Sequence, residues 1–313
     1  MTREGERTSV SQPQLKDKPP SSPGGDNGHR VAVVVPVHNR LEATQRFLKS
    51  FESVTYSSCR IFLIDDGCTD STTAWVATHY PQVTILHGDG DLWWTGATNL
   101  GVQKALEEQY DFILTINNDS VVSPDFLSHL VSTAVHCPST IVGSCLCRLA
   151  EPSTVWCAGG FIDWTRGLLF SLLQAGRTLS EVRQSQQSPV KVQLLTGCST
   201  LIPAQCFRDT GLYDQRWFPQ YHADSEFIMR AAAKGYSAVV ELQSVVWNDV
   251  ALTWCRRSWL AVVFSKRSPH YWRPIFAIYF RYCQLAFIPF SLTRYYVQTF
   301  LNLLLHDKGV HSP

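Results

Sequence analysis

The run Val31-Ala-Val-Val-Val-Pro36 is apolar, β-branched and stopped by proline, the pattern of a strand buried on both faces of a parallel sheet. Leu41, Phe47, Leu48 and Phe51 then recur at helical spacing, with Asn39 placed to cap that helix. Arg60-Ile-Phe-Leu-Ile64 makes a second buried strand that closes on Asp65, Asp66 and Gly67. The unit of strand, helix and strand repeats: a helix near 71–78, a strand near 83–86, a helix near 97–108 and a strand at 112–116. Such alternation predicts an α/β fold with right-handed crossovers and helices flanking the sheet. In sheets of this kind ligands sit beyond the carboxyl ends of the strands. The residues to weigh are therefore His38 and Asn39, Asp65 and Asp66, the segment 87–91, and the segment 117–119.

Further along, residues 140–192 break into short strand-like pieces, which predicts a mixed, partly antiparallel region. A helix over 223–234 carries Phe227, Ile228 and Ala231 on one side and stops at Gly235, before a returning strand at 236–240. Three spans result. Residues 1–30 are rich in Pro, Gly, Ser and charge and have no apolar run, so a disordered leader is expected. Residues 31–250 form the α/β domain, and residues 251–313 an apolar helical extension. Within that extension, Arg281, Pro289 and Arg294 interrupt every stretch short of the roughly 20 apolar residues a spanning helix needs. Its basic and aromatic composition suits peripheral contact with a membrane surface; packing on the α/β domain or on a second copy explains it equally.

The net charge of +1 supplies no basic field to gather nucleic acid. Because the leader has no apolar core of a secretory signal, a cytoplasmic protein is expected, working at the inner face of the membrane if it touches one. The ten cysteines include no Cys-x-x-Cys pair and read mainly as buried, reduced thiols, although Cys145 and Cys147 would share a strand face. No Gly-x-Gly-x-x-Gly follows the first strand, which argues against a dinucleotide-dependent oxidoreductase.

Taken singly, Asp-Asp-Gly is a turn and Asn-Asn-Asp a helix cap. Taken together, Val33-Val-Val-Pro-Val-His-Asn39, Ile64-Asp-Asp-Gly-Cys-Thr-Asp70, Gly96-Ala-Thr-Asn-Leu-Gly101, Ile116-Asn-Asn-Asp119 and Tyr221-His-Ala-Asp-Ser-Glu-Phe-Ile-Met-Arg230 resemble the family 2 glycosyltransferases of the GT-A fold. Within that family the chain is most similar to the rhamnosyltransferase-like enzymes of surface polysaccharide assembly. The resemblance implies a Rossmann-like mixed sheet and an inverting enzyme. Such an enzyme moves a sugar from a nucleotide-sugar donor to a hydroxyl of a glycan or lipid-linked acceptor, with Mg²⁺ or Mn²⁺ as cofactor.

It also implies roles for individual residues. Asp65 or Asp66 would accept hydrogen bonds from the nucleobase or ribose, a task suited to an acceptor-only carboxylate. Pro36 and His38 would shape the floor beneath the base, and Asn99, Asn117 and Asn118 would complete the nucleotide-sugar set. Asp119 is the metal-ligand candidate, since hard divalent cations take oxygen ligands and bridge carboxylates to phosphates. His222 is a second metal or phosphate contact, and Asp249 stands where some relatives place a further ligand. Asp224 would be the base that takes the acceptor proton. Trp93 or Trp94 would lay an indole face on a sugar ring, with Glu226 near the donor or acceptor sugar and Arg230 in support. Asn117 replaces the first acid of the family's Asp-x-Asp, and Ala223 an acid before Asp224. These departures keep open a second reading, a nucleotide-sugar binding protein without turnover.

Overall fold

The apolar run that opens the ordered chain lies in the interior of a mixed sheet. The computed structural model describes residues 28–164, 168–250 and 258–307; the expected leader lies outside the described residues apart from 28–30. Strand β1 (Val31–Val37) leads through α1 (Leu41–Phe51) to β2 (Cys59–Asp65), and α2 (Thr72–His79) leads on to β3 (Thr84–His87). Helix α3 (Trp93–Glu107) then returns the chain to β4 (Phe112–Thr115), on the other side of β1. All three pairings are parallel, as the alternation predicts. Register sets Val37 beside Asp65 and Asp65 beside His87, so three strand ends finish level along one edge.

Period-two alternation on β1 explains why both faces are covered. Ala32 and Val34 join one buried cluster with Phe62, Ile64 and Val102, while Val33 and Val35 join another with Phe47, Leu48 and Leu63. Helix α3 lies close on the first face because Gly101 meets the sheet. A Cβ there would stand 2.5 Å from Val34 Cγ1 and 2.7 Å from Ile64 Cδ1. Close helix–sheet packing accounts for this glycine.

The second half runs through β5 (Ser120–Val122), α4 (Phe126–His136), β6 (Thr140–Arg148) and β7 (Val155–Cys157) to the separate hairpin of β8 (Gly160–Asp163) and β9 (Leu168–Leu172). It continues through α5 (Leu179–Ser185), β10 (Val190–Val192), β11 (Thr200–Pro203), α6 (Ala204–Thr210), α7 (Ala223–Ala232) and β12 (Ser237–Asn248). Sheet order is β10-β12-β6-β11-β4-β1-β2-β3, with β11 antiparallel to both neighbours and β12 parallel to β6. Strand β12 runs to residue 248, past the expected end at 240, because its second half pairs with β6 and β5 beyond a register shift between Glu241 and Val245.

The extension folds as α8 (Trp259–Phe264), α9 (Trp272–Tyr282) and α10 (Ile288–Asp307). It packs on the domain through a third cluster of Ile275, Tyr279, Cys283, Ile288 and Tyr295, against Trp164 and Phe170. Among the described residues no helix is long and apolar enough to cross a membrane. The nine described cysteines are free thiols.

One local expectation is corrected. Asn39 does not cap α1, because it is itself left-handed (φ 61°), as is the N-cap residue Arg40 (φ 69°). Its side-chain oxygen accepts instead from the Thr69 and Asp70 amides at 2.7 and 3.1 Å, and Asp70 Oδ2 receives the Leu41 N–H at 3.3 Å.

Candidate functional site

Asp224 on helix α7 and the loop 117–119 after β4 meet at one dipeptide, Gly197-Cys198. Asp224, in the first turn of α7, accepts the Gly197 N–H through Oδ2 at 2.6 Å and the Ser225 N–H through Oδ1 at 2.7 Å. Burial raises its carboxyl pKa above the ordinary value, against the lowering effect of those two hydrogen bonds. The next residue, Cys198, accepts from Asn117 Nδ2 at 3.2 Å. Burial, and then the charges of Asp119 and Asp224, push its thiol well up. Asn117 and Asp119 stand on the loop after β4, and Gly197 and Cys198 precede β11, its antiparallel neighbour.

Trp94 closes the gap between these loops. Its indole N–H donates to Asn117 Oδ1 at 2.9 Å, and its ring covers Gly197, where a Cβ would stand 2.4 Å from Cζ2. Trp93 is left-handed (φ 58°), with its indole N–H on Asp91 Oδ1 at 2.7 Å and Lys266 Nζ 5.3 Å from the ring centre.

The paired aspartates have different work. Asp66 is buried and accepts the backbone N–H groups of Gly90, Leu92 and Trp93 at 2.9, 3.2 and 2.9 Å, while its carbonyl accepts from His38 Nδ1 at 2.6 Å. Its carboxylate holds the loop 88–93 in place. Asp65 accepts the Cys68 N–H at 2.7 Å and faces His87 Nδ1 at 3.2 Å. Burial works against its ionisation, but hydrogen bonds from Cys68, Thr73 and His87 outweigh it and hold the carboxyl below its ordinary value. Of the two, Asp65 keeps the character of an ionised acceptor at the strand-end edge. Pro36 is half-buried in β1 opposite Ile64, and His38 is exposed beyond the strand.

Four expected contacts are spent inside the protein. Asn99 is buried, with Oδ1 accepting the Tyr213 N–H at 3.0 Å and Nδ2 donating to the Tyr213 carbonyl at 2.9 Å. Asn118 is buried and donates to Thr44 Oγ1 at 2.9 Å. Glu226 has no exposed surface and is held by Arg230 Nε at 2.9 and 3.0 Å, Arg281 at 3.1 Å and the Tyr282 hydroxyl at 2.8 Å. It anchors α9 to α7 and faces no sugar. His222 donates through Nε2 to the Pro269 carbonyl at 2.6 Å and stacks on Phe170 with ring centres 4.0 Å apart. Burial lowers its pKa to about 4. Its Nε2, one of the two nitrogens with which it could meet a metal or phosphate, is taken by that carbonyl.

For a divalent cation, the residues fit a site with one protein carboxylate. Asp119 Oδ1 is buried with no hydrogen-bond partner, while Oδ2 takes Arg40 Nη1 at 2.9 Å. Asn117 Oδ1 is committed to Trp94, and the Asp249 carboxylate lies 3.3 Å from Arg46. The Asp249 N–H donates to the Asp119 carbonyl at 3.3 Å, which brings the two acids side by side. Among the described residues no group of three His, Cys, Asp or Glu side chains is placed to hold a metal alone. A cation here would take its other ligands from water and a diphosphate, the usual habit of Mg²⁺.

Five of the nine non-glycine residues with positive φ among the described residues lie at these loops: Asn39, Arg40, Trp93, Ser199 (φ 142°) and His222 (φ 68°). Such conformations cost free energy and persist where the surroundings enforce them, commonly at ligand sites. Cavity volume points elsewhere. A cleft of about 660 Å³ between His87, Gly96, Asn99, Tyr213 and Gln215 contains neither Asp119 nor Asp224. We assign the site by its converging acids, because volume alone brings no chemistry.

Residues 32–186 match the profile of glycosyl transferase family 2. That region is similar to a family 2 glycosyltransferase domain. Uncharacterized glycosyltransferases of Rickettsia prowazekii and Rickettsia typhi are 22% and 21% identical over 186 residues, 59% of this chain and 54% of theirs. The aligned region thus spans about half the length of the curated relatives. Among solved structures, the fold is shared with GalNAc-T7 bound to UDP, GalNAc and Mn²⁺ (TM-score 0.57, 16% identity, 72% of this chain and 44% of that one). It is shared also with a mannosyltransferase of Pyrobaculum calidifontis in complex with GDP-Man and Mn²⁺ (TM-score 0.53, 16% identity, 91% and 76%). The chain therefore has the GT-A architecture, a central mixed sheet flanked by helices, as its sequence implies.

Beyond the motifs, the Thr196-Gly-Cys-Ser-Thr200 segment resembles the family stretch before the acceptor loop, but Cys198 and Arg40 were not among the expected site residues. Only the fold shows Cys198 on Asn117 and Arg40 on Asp119. The unusual backbone at 39–40 has no signal in residue type beyond the tolerance of Asn for φ > 0.

Proposed function

We propose that this chain is an inverting, metal-assisted glycosyltransferase that moves a sugar from a nucleotide-diphosphate donor to a hydroxyl of a glycan or lipid-linked acceptor in cell-envelope polysaccharide assembly. The observation that carries this reading is the meeting of the Asn117–Asp119 loop and Asp224 at Gly197-Cys198, through the Asn117–Cys198 and Gly197–Asp224 hydrogen bonds, which puts a donor-side acid and an upward-shifted carboxyl in one site. GDP-Man in one GT-A neighbour, and UDP with GalNAc in another, support the substrate class.

Asp65 would accept from the nucleobase or ribose, and Trp93 would lie along a sugar face. Asp119 would hold the divalent cation, which when bound neutralises charge on the departing diphosphate. Asp224 would take the proton of the acceptor hydroxyl as its oxygen bonds to the anomeric carbon. The bond from that carbon to the diphosphate breaks as the new one forms, and its electron pair leaves with the diphosphate. One base and one in-line displacement give inversion. A rhamnosyl donor is the first to test, given the branch the motifs resemble.

The Arg40–Asp119 pair favours a second reading, binding without turnover, because it neutralises the acid at 2.9 Å. A donor screen separates the two. Purified protein is mixed with a panel of nucleotide sugars, with Mn²⁺, Mg²⁺ or a chelator, and nucleotide release is measured with and without candidate acceptors. Metal-dependent release from one donor supports transfer; a donor that binds by calorimetry yet is never turned over supports the binding protein.

A further inference from the structure

Helix α10 is amphipathic in the reverse sense for a helix whose outer face meets water. It buries Ser291, Tyr295 and Thr299 against the domain and exposes Phe290, Val297, Leu301 and Leu304, which recur at spacings of seven, four and three along one face. The elements beside it continue the pattern: Leu260, Phe280 and Leu285 are 67%, 61% and 77% exposed. Among the described residues, every exposed large apolar side chain except Val135, Leu172 and Tyr221 lies between 260 and 304. An apolar surface this concentrated marks a contact.

Charge identifies the partner. The chain as a whole is almost balanced, with 27 Lys and Arg against 26 Asp and Glu. Yet residues 250–306 carry seven Lys and Arg and no acid at all, and of these Arg281 is committed to Asp214 and Glu226 of the domain. A second copy docked by a two-fold axis would set these cations against themselves. An anionic lipid surface offers both an apolar interior and compensating charge, and no helix here needs to cross it.

We propose that the outer face of α8, α9 and α10 rests on an anionic bilayer, with its apolar side chains at the acyl boundary and the exposed Lys266, Arg267 and Arg294 at the phosphates. This inference stands on the surface alone and is independent of the transferase reading. It also orients the molecule: the loop between α8 and α9 supplies Lys266 over Trp93 and the Pro269 carbonyl to His222. The face on the bilayer and the candidate site are joined by that loop.

The test is flotation of the full chain with vesicles of phosphatidylcholine alone or with added phosphatidylglycerol. Recovery with the anionic vesicles is expected, falling as salt screens the attraction, with each cation near the surface worth roughly fivefold in partitioning. Leu301→Glu with Leu304→Glu should lower partitioning at least about tenfold, because charge then faces the acyl boundary. Leu301→Met with Leu304→Met should retain it, and an unchanged melting temperature in both variants excludes unfolding. Donor hydrolysis is followed in parallel, so failure of the surface and failure of the site are distinguishable. Equal recovery with neutral vesicles, no recovery with either, or a dimer broken by the glutamate pair would overturn the proposal.

Discussion

The Gly197 amide donates to Asp224 Oδ2 at 2.6 Å while the Trp94 ring rests on the same residue's Cα, so a single glycine fixes both the proposed base and one wall of the site. Gly197→Ala is therefore expected to displace Trp94 and with it the hydrogen bond to Asn117. A Cβ 2.4 Å from Cζ2 forces a shift on the order of 1–3 kcal/mol in stability. The check is a lower melting temperature together with a shifted tryptophan emission. An unchanged spectrum would show that Trp94 does not rest there.

Asp66 collects three backbone N–H groups of the loop 88–93, which includes the strained Trp93. Asp66→Ala leaves those donors without their partner, at about 1–3 kcal/mol for each one left buried and unsatisfied. Proteolysis should then cut within 88–93, and donor affinity should fall. Asp65→Asn, which spares the loop, should weaken the donor without new cleavage there.

Glu226 is fully buried between Arg230 and Arg281, whose side chains are 27% and 34% exposed. Glu226→Gln removes the charge that both arginines share. Breaking a buried pair costs about 3–5 kcal/mol, and the partial exposure of the arginines places this case at or below the low end. Because Arg281 belongs to α9, limited proteolysis should release the C-terminal helices before the domain unfolds.

His222 and His270 give the fold an acid limit. Burial lowers both to about 4, helped at His270 by the charge of its neighbour His222. In the unfolded chain each titrates near 6.5. Between these values the unfolded state binds more protons, so stability falls as pH falls from about 6.5 toward 4. Melting measured across this window should drop by several degrees, on the order expected for a few kcal/mol in a domain of this size. His222→Gln should flatten the slope.

Much of this architecture is legible in residue patterns. The levelled ends of β1, β2 and β3 follow from apolar runs that stop at Val37, Asp65 and His87, since buried parallel strands admit no polar residue until they emerge. What a sequence does not display is the partner of each polar atom. Asp66 and Asp65 are adjacent, yet one binds a loop 24–27 residues away while the other stays at the strand end. Asn99 and Glu226 sit in motifs that suggest ligand contact, but Tyr213 and Arg281, 114 and 55 residues along, take their hydrogen bonds. Asp119 and Asp224 lie far apart in sequence, and their convergence depends on β11 entering the sheet antiparallel beside β4.

The most direct test of the account separates the two acids. Donor affinity by calorimetry, with and without Mn²⁺, and donor turnover are measured for the parent chain, Asp119→Ala and Asp224→Asn. Asp224→Asn should bind donor as the parent does and lose about 10²–10⁴-fold in turnover, the usual contribution of a general base. Asp119→Ala should lose the metal-dependent part of donor binding. If Asp224→Asn turns over donor at the parent rate, or if Asp119→Ala binds donor with undiminished metal dependence, the two acids do not form the site described.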